Sequence, residues 1–219
     1  MKLNSFTEEN YLKIIYHLSE NKQVTVQTNA IAERMHTQPA SVTSMIRKLA
    51  EKGLVNYEKY QGVTLTDKGM FIAINVIRKH RLWEFFLVEK LSFKWDEVHE
   101  IAEQLEHVNS NQLIERLDAY LAFPRKDPHG DPIPDKDGNF EETNLIKLHK
   151  LVLGNTGIIV GVSEHSSAFL KHLDQVGLTL GTNISVTEII DFDGSMELTL
   201  KNKKTLISRE VAKQILIKL

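Results

Sequence analysis

Along the first half of the chain, apolar residues recur at the three- and four-residue spacing of helices that bury one face. Tyr11, Leu12, Ile14, Ile15 and Leu18 form one such stripe, and Ser5 with Glu8 makes a capping box ahead of it. In VQTNAIAERMH the stripe is Ile31, Ala32 and Met35; in TQPASVTSMIRKLAEKGLV it is Val42, Met45, Ile46 and Leu49. Pro39 suits the first turn of that third helix and Gly53 suits its end. Two short β-rich runs follow, LVNYEKY and GVTLT, joined through Gln61-Gly62 as a hairpin. Thr66 is placed to cap a long helix ending near Leu91. Further helices are expected in VIRKHRLWEFFLVEKL, KWDEVHEIAEQLEHV and NQLIERLDAYLAF. Residues 124–142 hold four of the five prolines and two glycines, so they read as a loop. Beyond them GIIVGVS, NISVTEII, MELTLKN and TLISREV pattern as short strands, with SSAFLKHLDQ as a short helix, giving a small β-barrel domain.

Helix, helix, turn, helix, hairpin is the order of a winged helix-turn-helix, with the third helix as the recognition helix. Its apolar stripe leaves Gln38, Ala40, Ser41, Thr43, Ser44, Arg47 and Lys48 off the core, with Pro39 beside them at the start. Small and amide side chains there suit base edges; Arg47, Lys48 and Lys59 of the wing suit phosphates. The competing reading is a polar, solvated helix face. Charge adds a little: the net charge is -2, but residues 1–75 carry nine Lys/Arg against seven Asp/Glu. The aromatic run LWEFFLVEKLSFKW reads as core or as a dimer interface. No apolar run approaches the roughly 20 residues of a membrane span, the N-terminus lacks the apolar region of a secretory signal, and there are no cysteines.

The candidate chemistry lies in HEIAEQLEH. At about 100° per residue, His99, Glu103, Glu106 and His107 fall within an arc of about 100° on a continuous helix. His80 and Glu84 on the preceding helix are i, i+4 and share a face. Two such faces together offer imidazole nitrogen and carboxylate oxygen without sulfur, a donor set for Mn2+ or Fe2+ that Zn2+, Co2+ or Ni2+ also fits. A salt-bridged surface neutralised by Arg78, Arg81 and Lys90 is the alternative. HExxH, Gly-rich phosphate loops and nucleophile motifs are absent, so no catalytic residues are expected.

RKHRLWEFFL followed by VHEIAEQLEHV, with TEENYLKIIY, IAERM and the PHGDPIP loop, resembles the metal-dependent repressors typified by the diphtheria toxin repressor and the manganese transport regulator. The resemblance covers about residues 5–135 closely, and the last domain more loosely. It implies a mainly α chain with a small β domain: a winged helix-turn-helix at 1–72, a helical dimerisation and metal-binding domain at 73–142, and an SH3-like (FeoA-type) domain at 143–219. One metal site would use His80, Glu84 and His99, with Asp127 and His129 of the loop and one of Glu164 and His165. The other would use Glu103, Glu106 and His107, with Asn10 from the first helix. Asn10 stands where iron-type members carry methionine and manganese-type members aspartate. Glu103 stands where iron-type members carry cysteine, which favours Mn2+ over Fe2+. Lys13 stands where one manganese-type member has a ligand glutamate, which disfavours that two-metal cluster. His17, His36, His149 and His172 read as structural or surface residues.

What the resemblance implies is a cytoplasmic homodimer that binds a palindromic double-stranded DNA operator when loaded with metal and represses metal-uptake genes, without membrane or small-molecule substrate. A metal-independent winged-helix regulator answering a small organic ligand is the rival expectation.

Overall fold

The structure is a computed structural model that describes residues 4–19, 24–59, 61–141, 144–201 and 203–219. The expected boundary at 142/143 lies outside the described residues. Two compact units emerge: Met1–His80, Glu103–Arg116 and Pro134–Phe140 form the first, and Arg81–Ala102, Leu117–Ile133 and Glu141–Leu219 the second.

The first unit opens with α1, Phe6–Leu18. Its capping box is made: the Ser5 hydroxyl accepts from the Glu8 backbone N–H, and the Glu8 carboxylate accepts from that of Ser5. Then come α2, Thr28–Arg34, and α3, Pro39–Glu51. Leu12, Ile15, Ile31, Ile46 and Leu49 from the three predicted stripes are wholly buried together. Gly53 follows α3 with a left-handed φ of 66°, which glycine adopts without Cβ strain. The hairpin pairs β1, Val55–Glu58, with β2, Gly62–Leu65. Val26 adds a bridge to Val63, so the wing is anchored in front of α2. Thr66 caps α4, Asp67–Leu91, by accepting from the Gly69 N–H at 3.1 Å.

The helix expected through residues 94–108 is shorter. α5 spans His99–Leu105. Before it, the chain turns because its side chains are committed elsewhere: Trp95 donates to Asp174, and buried Asp96 meets Ser167 and Lys171. After it, Glu106 and His107 sit in a turn and are buried. The angular estimate that put them on one helical face with His99 therefore does not apply. α6, Asn111–Tyr120, follows as expected, with the Ser110 hydroxyl accepting from Leu113 N–H.

In the second unit the β domain has more strands than its patterning predicted. Its antiparallel sheet runs β3-β8-β4-β5-β6-β7, with β3 Ile146–Lys147, β4 Thr156–Val162, β5 Asn183–Ile189, β6 Met196–Leu200, β7 Lys203–Ile207 and β8 Ile215–Lys218. α7, Ser167–Val176, is the predicted helix. TLISREV is not one strand: Ser208 accepts from Val211 N–H and starts α8, Arg209–Ala212. The sheet and α7 close over Ile159, Leu170, Leu173, Leu178 and Ile217. No helix among the described residues is long and apolar enough to cross a membrane.

Candidate metal centre

In the second unit, Glu84 from α4 meets the loop that follows α6. Glu84, Asp127 and His129 are all buried, and each offers a ligand atom within 4.8 Å of the others. His99, the first residue of α5, brings Nδ1 to 3.2 Å from Glu84 Oε1. His165 stacks on His129 with ring centroids 4.7 Å apart and places Nε2 3.8 Å from Asp131.

The loop is built to hold this arrangement. The Asp127 carboxylate accepts from the backbone N–H of His129 and of Asp131, turning the chain tightly. Arg81, three residues before Glu84, donates to Asp131 and to the Pro132 carbonyl and lies 3.7 Å from Asp127. Gly130 has a φ of 88°, and a Cβ there would come within 2.1 Å of the Val160 carbonyl oxygen. Glycine is thus needed twice over, for its backbone angle and for the approach to β4, where Val162 N–H donates to the His129 carbonyl.

His129 is the donor most firmly oriented toward this set. Its Nε2 donates to the Trp95 carbonyl at 2.8 Å, the kind of partner that orients a metal-binding imidazole. Its Nδ1 is buried and makes no hydrogen bond; Glu84 Oε2 at 3.5 Å suits an ion pair but is long for a hydrogen bond. Burial alone would lower the His129 pKa, but the Glu84 and Asp127 carboxylates outweigh it and raise it to about 9. Burial, reinforced by the charges of Asp131 and Glu84, pushes the Asp127 carboxyl up to about 7 despite Arg81 and His129. A divalent cation would relieve this pooled negative charge, and hard oxygen with imidazole nitrogen fits Mn2+ or Fe2+. Glu164, by contrast, is exposed and its carboxylate accepts from Ser166 N–H at 2.8 Å; of the two expected alternatives, His165 is the residue beside His129. Of the organising residues, Arg81 was read from sequence only as a neutralising surface charge and Asp131 was not singled out, although RKHR and PHGD contain them.

The first unit gathers the other predicted ligands, but around a lysine. Lys13 Nζ bonds both oxygens of Glu106, at 2.6 and 2.8 Å, and lies 3.9 Å from the largely exposed Glu103. His80, one turn before Glu84 on α4, brings Nδ1 to 2.6 Å from Glu106 Oε2. His107 Nδ1 meets Glu9 at 2.7 Å, and its ring stacks on Phe6. Asn10 Oδ1 is buried without a hydrogen bond.

On α3, Gln38, Pro39, Ala40, Ser41, Ser44, Arg47 and Lys48 are exposed. Thr43 is half-buried and donates its hydroxyl to the Pro39 carbonyl, so it is turned to its own helix. Lys48 reaches Glu8 at 3.1 Å, and Lys52 bonds the same carboxylate. Lys59 is exposed at the tip of the hairpin.

Comparison with known proteins identifies three domains. Residues 5–63 match the iron dependent repressor N-terminal DNA binding domain, 66–135 the iron dependent repressor metal binding and dimerisation domain, and 146–219 the FeoA domain. The iron-dependent repressor IdeR of Mycobacterium tuberculosis (strain H37Rv) is 35% identical over 192 residues, covering 82% of this chain and 83% of that protein. The chain belongs to the iron-dependent repressor family. The diphtheria toxin repressor of Corynebacterium diphtheriae, 29% identical, aligns over 96% of both chains. Among solved structures of this family, a manganese-dependent transcriptional repressor in complex with manganese superposes with a TM-score of 0.86 at 36% identity, over 96% of this chain and 98% of that one. ScaR with bound Zn2+ gives 0.79 at 33%, with the same coverage. Members are metal-dependent, DNA-binding transcriptional repressors, and the three-part architecture with its β domain is the family's. The metal-independent regulator weighed from sequence finds no support.

Proposed function

We propose that this protein is a cytoplasmic repressor of metal-uptake genes that answers Mn2+ in preference to Fe2+, with Zn2+, Co2+ or Ni2+ able to substitute in vitro. The observation that carries the reading is the buried Glu84–Asp127–His129 set, in which His129 Nδ1 makes no hydrogen bond and faces Glu84 at 3.5 Å. His99 and His165 border that set, and His80 shares a helix face with Glu84 at i, i+4. Nitrogen and oxygen donors suit Mn2+ and Fe2+ alike; the preference for Mn2+ rests on Glu103, which stands where iron-type members carry cysteine. When bound, the ion supplies the positive charge that lets two buried carboxylates stay ionised together. Arg81 and the Trp95 carbonyl hold the loop and the His129 ring ready for it.

In this reading a homodimer places two copies of α3 in successive major grooves of a palindromic operator. Gln38, Ala40, Ser41 and Ser44 face base edges, while Arg47, Lys48 and Lys59 neutralise phosphates. The test is a mobility-shift titration on an operator fragment with Mn2+ and, anaerobically, Fe2+. Retardation should require metal, saturate at lower Mn2+ than Fe2+, and be lost in Glu84→Ala. Equal DNA affinity with metal and with chelator would sink the proposal.

A further inference from the structure

The first unit's cluster of Glu103, Glu106 and His107 has the composition of a metal site but already holds a cation. Lys13 Nζ sits 2.6 and 2.8 Å from the two Glu106 oxygens, and the Lys13 and Glu106 side chains are 13% and 1% exposed. The second Glu106 oxygen also receives His80 Nδ1, and Glu9 receives His107 Nδ1. Each buried carboxylate is therefore paired without any ion. Burial would raise the Glu106 carboxyl, but His80 and Lys13 outweigh it and hold it low, so it is ionised beside the ammonium. Among the described residues, no set of three ligand atoms close enough to share an ion includes Glu103, Glu106 or His107. Asn10, the further ligand expected from the resemblance, offers a neutral oxygen that brings no charge to offset a divalent ion.

We propose that the Lys13 ammonium takes the cation position of this cluster, so that α1 is tethered by a built-in charge and each subunit binds one regulatory metal ion instead of two. A divalent ion at Glu106 would lie within a few ångströms of the ammonium and be repelled by it. Removing that charge would leave the Glu106 carboxylate and His107 Nε2, 3.7 Å apart, open to Mn2+. The anchoring of α1 would then pass from a resident lysine to a dissociable ion, and the tether would become metal-dependent.

The count of one in the native protein rests on the Glu84 centre proposed above; the status of the lysine-filled cluster does not. Equilibrium dialysis of the full-length apo-protein against Mn2+ separates them. Expected are one ion per subunit in the native protein and in Lys13→Arg, two in Lys13→Met, none in Glu84→Ala/His129→Ala, and one when Lys13→Met is added to that double variant. Two ions in the native protein, one retained in Glu84→Ala/His129→Ala, or no gain in a folded Lys13→Met would overturn the proposal. If the Glu84 centre is the reading that fails, the native protein binds none while Lys13→Met still gains one. Should Lys13→Met not fold, the native and double-variant counts decide alone.

Discussion

Nε2 of His129 is committed to the Trp95 carbonyl, so the proton a metal must displace is the one on Nδ1. With that imidazole at about 9 and the Asp127 carboxyl at about 7, the metal-free centre holds protons at neutral pH. Metal ligands must be deprotonated, so binding expels those protons. Mn2+ affinity should therefore climb as pH rises from about 7 to about 9, by up to roughly tenfold per unit for each proton released, and level off above the His129 value. Below 7 the slope steepens as Asp127 joins. Calorimetry in buffers of different ionisation heat measures the released protons directly, and a flat affinity across pH 6–9 would contradict the assignment. Glu84→Gln, which keeps the shape and removes the charge, should weaken Mn2+ binding at least roughly tenfold. Little of this is visible in the letters PHGD: the role of Gly130 depends on Val160, thirty residues away on another element.

α1 and α3 are joined by one carboxylate. Glu8 closes the capping box of α1 and takes Lys52 and Lys48 from the end of the recognition helix. Burial would raise its pKa, but the hydrogen bonds from Lys52, the Ser5 backbone and Lys48 dominate and hold it at about 2. A lowered pKa stabilises the fold above the ordinary carboxylate value near 4.5, and that contribution is lost as pH falls toward 2. Glu8→Gln should thus cost about 1–2 kcal/mol in urea unfolding at pH 7, limited by the solvent screening of half-exposed Lys48, and only about a quarter of that at pH 2.5. Arg47, the neighbour of Lys48 on α3, is exposed. Arg47→Ala should weaken operator and random DNA alike and lower the salt dependence of binding by about one unit of slope, read from mobility shifts at several salt concentrations. The helices of the DNA-binding part were legible because each buries one periodic stripe. α5 was overestimated because Trp95, Asp96, Glu106 and His107 leave the helix for partners distant in sequence.

For the whole molecule, the consequence is reciprocity. If metal strengthens operator binding by some factor, operator must strengthen metal binding by the same factor. Dialysis of Mn2+ with and without saturating operator should show that equality with the mobility-shift ratio. The chain carries the family's dimerisation domain, so sedimentation should find two subunits and, on the palindromic operator proposed above, one dimer per site. Half a palindrome should lose most of the affinity.

The elements, the winged-helix order and the presence of a His/Glu donor set followed from local spacing, because helical and strand periodicities and caps are properties of neighbouring residues. Which donors share a centre did not. Glu106 and His107 were placed on one helical arc with His99, yet Glu106 reaches Lys13 and His107 reaches Glu9 while His99 reaches Glu84. Likewise β8, built from the terminal ILIK, shows no alternation of its own and becomes an interior strand only through β3 and β4. Lys13 is the sharpest case: in the sequence it marked only the loss of a ligand glutamate, yet it becomes the counter-ion of a buried glutamate 93 positions away. Burial and partner choice are long-range properties, since they depend on which segments exclude water from one another, and they determine here where a metal ion can enter and where a lysine already stands.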